Sequence, residues 1–183
     1  MAYIIISIVV FLILLFVIVT YNGFVSSRNK VRNQKSQIEV ELKRRFDLVP
    51  NLVETVKGYA NHEKTALEDI VKARNSYLSA GNNTAQALEA DNTLTGALSR
   101  LFALAEGYPE LKANASFLSL QNELSDIEKR IVFARQFYND SVLRLNNKVE
   151  KFPSNIIAGM FKFNAEAFFE ATETEKQNVK VNF

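Results

Sequence analysis

The sequence predicts an all-α protein: an N-terminal transmembrane helix followed by an elongated antiparallel bundle of about four long helices. Three observations carry this. No ionised side chain occurs before Arg28. Beyond Val31, apolar residues recur at alternating steps of three and four, which is one seam of a helix. Three prolines and six glycines in 183 residues leave long stretches without a breaker. The expected domains are an anchor over residues 1–27, a cytoplasmic helical bundle over 28–152, and an apolar helical segment with a tail over 153–183.

The anchor comes first. Ala2 to Thr20 is almost wholly Ile, Val, Leu and Phe, broken only by Ser7. At helical rise this run covers roughly 28 Å, against a hydrocarbon thickness of about 30 Å. Tyr3 and Tyr21 stand at its ends, where amphipathic rings favour the headgroup layer. A secretory signal fits poorly: no basic residue precedes the run, and Val19-Thr20-Tyr21-Asn22 offers no small-residue cleavage site. Arg28, Lys30, Arg32 and Lys35 all follow the span, so the positive-inside rule puts the short N-terminus outside and the body in the cytoplasm. The absence of cysteine agrees with a reducing compartment.

Net charge is +2, but the basic residues gather at the membrane edge. Seven lie between Ser26 and Phe46, against Glu39 and Glu41. Such a collar meets anionic headgroups, at roughly 1 kcal/mol per Lys or Arg near the surface. It is not interleaved with exposed aromatics, so nucleic acid is not an expected partner.

The bundle follows. Its first seam runs Val31, Lys35, Ile38, Leu42, Arg45, Val49, Leu52, Val56, Tyr59, Glu63, Ala66, Ile70, Ala73, Tyr77. Pro50 predicts a kink or restart near Val49. Gly81-Asn82-Asn83 ends this arm, and Thr84 is the expected N-cap of a helix over Ala85 to Ala105. Glu106 to Glu110 reads as a loop. Phe117, Leu120, Leu124, Ile127, Ile131, Ala134 and Tyr138 then give strict 3–4 steps. They resume after a four-residue stutter as Val142, Leu145, Val149 and Phe152. Phe152-Pro153 closes this helix, and Tyr21-Asn22-Gly23 is the expected hinge near the membrane. Val71 to Tyr77 echoes Val132 to Tyr138, each with an Ala, an Arg and a Tyr in register; coincidence and shared packing both account for this.

The residues then add up to a resemblance. Tyr21-Asn22, Arg45-x-x-Leu48-Val49-Pro50-Asn51-Leu52-Val53, Tyr59-Ala60-x-His62-Glu63, Ala73-Arg74 and Tyr108-Pro109-Glu110-Leu111-Lys112-Ala113 resemble the LemA family. So do Phe117-x-x-Leu120-Gln121-x-x-Leu124, Glu128-x-x-Ile131-x-x-Ala134-Arg135-x-x-Tyr138-Asn139 and Phe152-Pro153-Ser154. The resemblance runs over essentially the whole chain. It implies a membrane-anchored cytoplasmic helical bundle of bacterial type and supplies no reaction.

Catalytic chemistry has little to stand on. There is no Cys, His62 is the single His, and no phosphate loop or nucleophile elbow occurs. Glu63, Glu68 and Asp69 offer oxygens beside His62, but a His-Glu pair on a helix is ordinarily a polar turn. No cofactor, metal or catalytic residue is expected. The open question is why charge falls on apolar seams. A polar network across the bundle would join Arg45, Glu63, Arg74, Glu128, Arg135 and Asn139, fixing register more than adding stability. The competing reading lets these side chains snorkel to solvent. Ile156, Ile157, Met160, Phe161, Phe168 and Phe169 form an apolar stretch beyond the proline. They either dock as extra core or serve a neighbouring subunit or the membrane surface. The expected role is a non-enzymatic, homo-oligomeric membrane scaffold, with a signalling adaptor or sensor as the alternative.

Overall fold

A computed structural model describes residues 1–59, 64–81 and 83–169. The described residues form six helices: α1 (Ala2–Lys57), α2 (Lys64–Ala80), α3 (Thr84–Ala105), α4 (Pro109–Lys112), α5 (Ala115–Glu150) and α6 (Ser154–Phe161). The protein is all-α, with a long apolar helix at its N-terminus. The described chain divides into two compact units, one of residues 1–37 with 134–169 and one of residues 38–133.

α1 is continuous for 56 residues. Two expectations are therefore corrected: the hinge at Tyr21-Asn22-Gly23, and the restart that was one of the two alternatives at Pro50. Tyr21-Asn22-Gly23 is not a hinge, because these residues are helical. Pro50 starts no new helix and lies inside α1. An interior proline costs about 3 kcal/mol or more in lost hydrogen bonding and clash. Phe46, Val49, Leu52 and Val53 on both sides of it are buried, and their packing holds the helix through the defect. α1 ends instead at Lys57, before Gly58, where the Tyr59 N–H donates to the Val56 carbonyl at 3.0 Å.

In the unit of residues 38–133, α1 packs with α2, α3, α4 and the first part of α5. Its core gathers Phe46, Leu52, Ile70, Leu94, Leu101 and Phe117. The Phe46 and Tyr77 rings stack at 4.1 Å, and Phe102 meets Phe117 edge-on at 6.0 Å. Gly81 follows α2 with φ of +53°, the left-handed conformation that ends helices and that glycine adopts without strain. The N-cap of α3 is Asn83 rather than Thr84: its side chain accepts from the Gln86 N–H at 3.3 Å. The stretch expected as a loop at 106–110 holds the start of α4, with Pro109 at its first turn, where no N–H is needed.

In the other unit, Phe24 and Val31 of α1 are buried with Tyr138, Val142 and Leu145 of α5 and Ile157, Ala158 and Phe163. α5 ends at Glu150, so Phe152 lies beyond it. Phe152 is 80% exposed and does not continue the seam. From Tyr3 to Val19, by contrast, the large apolar side chains of α1 lie mostly bare. This is the only described helix long and apolar enough to cross a membrane, and none of its apolar window is buried.

Candidate functional site

Arg45 lies on the buried face of α1 and Asp91 on that of α3. Both side chains are almost wholly removed from solvent, at 3% and 2% exposure. Arg45 Nη1 donates to Asp91 Oδ1 at 2.6 Å and lies 2.5 Å from Glu128 Oε2 on α5. Glu128 is 37% exposed, so one carboxylate is dry and the other reaches water. The cluster ties three helices of the unit of residues 38–133 through one guanidinium. The guanidinium suits this because its planar fork presents several donors at once.

Of the residues expected in a polar network, Arg45 and Glu128 are thus brought together. Glu63 lies outside the described residues, as does His62. Arg74 is half-buried on α2, and Arg135 is half-buried on α5. Asn139 has a different task. Its amide donates to the Phe169 carbonyl at 2.9 Å and accepts from the Phe169 N–H at 2.9 Å.

Asn146 repeats this pairing one step along. Its amide donates to the Glu166 carbonyl and accepts from the Glu166 N–H, each at 2.9 Å. Residues 139 and 146 are two helical turns apart, about 10.5 Å. Residues 166 and 169 in extended chain are about 10 Å apart. The match lets two amides on one face of α5 hold the non-helical segment after α6 as a neighbouring strand would. Between them the Tyr138 hydroxyl donates to the Ala167 carbonyl at 3.1 Å, and its ring packs on Phe169 at 4.3 Å. Burial pushes the Tyr138 phenol above its ordinary pKa, with the Glu166 carboxylate adding to the shift. Burial likewise raises Tyr77, against a lowering influence from Lys43. The echo between residues 71–77 and 132–138 thus has a physical counterpart, since Ala73 and Ala134 are both buried and each tyrosine packs on a phenylalanine.

At the foot of the apolar span, Tyr21 meets Phe161 at 4.8 Å and Phe163 at 5.7 Å. Phe24 stacks on Phe163 at 4.8 Å, and the Arg28 guanidinium sits over the same ring at 5.1 Å. Lys148 Nζ donates to the Gly23 carbonyl at 2.9 Å and the Ser27 hydroxyl at 2.8 Å. Of the other residues expected at the membrane surface, Tyr3, Lys30 and Arg32 are exposed and Lys35 is half-buried. The apolar C-terminal set divides: Ile157 is buried and Phe169 half-buried, while Ile156, Met160, Phe161 and Phe168 are exposed.

One cleft of about 1030 Å³ opens in the unit of residues 38–133, lined by Val53 and Lys57 of α1, Leu67, Val71 and Lys72 of α2 and Ala90 of α3, among others. Among the described residues no three His, Cys, Asp or Glu side chains gather as metal ligands.

Against known families, residues 34–183 match the LemA family. The chain belongs to the LemA family. This LemA-family chain is 27% identical over 161 residues to Protein LemA of Metamycoplasma hominis, covering 86% of the chain and 72% of that protein. It is 26% identical over 191 aligned residues to Magnetosome protein MamQ 2 of Paramagnetospirillum magneticum, covering 91% of the chain and 70% of the relative. Magnetosome protein MamQ of Magnetospirillum gryphiswaldense is 26% identical over 174 residues, covering 81% of the chain and 64% of the relative. The family match starts at residue 34 and so lies wholly beyond the apolar part of α1.

Asp91 and Asn146 were not among the expected residues, yet both had a signal. Ala87, Asp91, Leu94, Leu98, Leu101 and Ala105 keep strict four–three steps and are all buried, which makes Asp91 the one charge on the seam of α3. Asn146 stands seven residues after Asn139, on the same face of α5.

Proposed function

We propose that this LemA-family chain is a non-enzymatic membrane-anchored protein that self-associates at the cytoplasmic face of a bacterial inner membrane and there scaffolds partners or organises lipid. The observation that supports this reading most is the exposed apolar surface of α5. Val132, Phe133, Phe137 and Leu143 are each about half exposed on a helix whose opposite face is core. Exposed large apolar side chains grouped on one element mark interaction surfaces. A span followed directly by a basic collar would hold several copies parallel on one leaflet, which favours side-by-side contact between equivalent faces. The polar clusters serve register in this reading: Arg45 with Asp91 and Glu128 fixes three helices.

Introducing Phe137→Glu into the full chain tests this. The mass of the detergent-solubilised protein is expected to fall from a multi-protomer value to that of a monomer, with helicity unchanged. An unchanged mass would remove α5 as the contact face. For orientation, an alkaline phosphatase fused to the C-terminus is expected to be inactive, and periplasmic activity would reverse the assignment.

The cleft lined by α1, α2 and α3 favours a second reading. In it the protein is an adaptor or sensor that receives a partner segment in this cleft, whose walls carry Lys57, Lys64 and Lys72 beside Val53, Leu67 and Val71. A monomeric full chain that captures a partner through this cleft would favour it over the scaffold.

A further inference from the structure

We propose that α6 is a second membrane contact, lying in the headgroup layer beside the exit of the span with one apolar face turned to lipid. The inference rests on the reading of α1 as an anchor and adds a separate site to it.

α6 is two-sided. Ile157 and Ala158 are buried, and Phe163 just beyond is 7% exposed. Ile156 and Met160, one turn apart, are 54% and 66% exposed, and Phe161 is 45% exposed. Phe152, in the turn just before α6, is 80% exposed. Four large apolar side chains are therefore left uncovered in the unit that carries the span.

Their level along α1 identifies what covers them. The Phe161 ring touches Tyr21, the residue that ends the apolar run. The start of α6 is tied slightly further out. The Ser154 hydroxyl donates to the Lys148 carbonyl at 2.7 Å, and the Lys148 ammonium holds Gly23 and Ser27. α6 thus sits at the level of residues 21–27, about 9 Å of helix beyond the hydrocarbon. Each interfacial layer is itself about 5–8 Å thick.

Charge agrees with this occupant. From Lys151 to Ala165 the chain has two lysines and no carboxylate, and Arg28 stands over the Phe163 ring. Short apolar helices with basic neighbours lie in the plane of the interface, held by buried apolar area and by anionic headgroups. A soluble partner would have to reach a surface at headgroup depth, which the lipid already occupies.

The absence of cysteine makes the test clean. Single-cysteine variants of the full chain, Ile156→Cys and Met160→Cys, carry an environment-sensitive fluorophore in phosphatidylcholine–phosphatidylglycerol vesicles. Leu12→Cys reports the anchor, and Asn33→Cys, about 18 Å past Tyr21 along α1, reports water. Nitroxide lipids labelled near the headgroup are expected to quench positions 156 and 160 by about twofold or more, as for an interfacial helix, and to leave position 33 unchanged. Position 12 is read with nitroxide lipids labelled deep on the acyl chain, since it lies about 12 Å inside the end of the run at Thr20. Deep quenching at 12 without headgroup quenching at 156 or 160 overturns the proposal while keeping the anchor. Absence of deep quenching at 12 overturns both. A label at 160 that is shielded from water but untouched by nitroxide lipid assigns this face to a second copy and also overturns the proposal.

Discussion

Asp91→Asn probes the buried cluster most sharply, because it removes one charge and nearly no volume. Arg45 and Asp91 are at least 97% buried, with Nη1 and Oδ1 at 2.6 Å. Breaking such a pair from one side leaves a dry guanidinium under-compensated, which typically costs about 3–5 kcal/mol. Glu128 still lies 2.5 Å from Arg45, so the loss is expected at the lower end, about 3 kcal/mol. For a body of this size each kcal/mol moves the melting point by about 2–4 °C, giving a drop of about 6–12 °C. Glu128→Gln removes a half-exposed charge and is expected to cost about 1 kcal/mol. Arg45→Met combined with Asp91→Leu replaces the buried pair by apolar volume and is expected to fall within about 1 kcal/mol of the parent. Circular dichroism at 222 nm during heating and urea unfolding of the full chain in detergent measures all three. The reasoning fails if Asp91→Asn is silent, or if Glu128→Gln costs more than Asp91→Asn.

Other predictions follow from the same contacts. Asn139→Ala and Asn146→Ala each remove two hydrogen bonds and should cost about 1–2 kcal/mol. Amide exchange at Phe169 and Glu166 respectively should accelerate, and unchanged protection would contradict the pairing. Gly23→Ala is expected to leave stability unchanged or raise it by up to about 1 kcal/mol, since alanine favours helix over glycine. The added Cβ would meet only Lys148 Nζ, at 3.5 Å. A loss of assembly or stability on this change would restore Gly23 as a hinge. Tyr77 and Tyr138 have phenols raised above 10.0 by burial, so folding favours their neutral forms. That stability is complete below the unfolded pKa and is lost as pH climbs through the folded values. Phenolate absorbance at 295 nm should show these two tyrosines ionising above 10.0, in step with loss of helicity.

The helical seams were legible because burial demands periodicity. Val31, Lys35, Ile38, Leu42, Arg45, Val49, Leu52 and Val56 recur at steps of three and four, and all but the half-buried Lys35 are buried in one unbroken helix. Local breaker signals were a poorer guide. Pro50 and Gly23 carry intrinsic costs that flanking contacts outweigh: apolar packing around the proline, and the Lys148 ammonium at the glycine carbonyl. α1 ends at Lys57, just before Gly58, whereas the seam frame runs on through Tyr59. Charged partners were half legible. Arg45 and Glu128 stand out on their seams, whereas the choice of Asp91 as counter-ion depends on which helix faces which. The pairing of Asn139 and Asn146 with residues 166 and 169 needs the chain reversal after α6, which no local pattern encodes.

The measurement that bears most directly on the account is the mass distribution of the full chain extracted with its own lipid and weighed molecule by molecule. The account predicts one dominant species of several protomers, which collapses for Phe137→Glu and is absent for a chain beginning at Ser26. A monomer at every concentration, or an equal assembly from the chain beginning at Ser26, would contradict it.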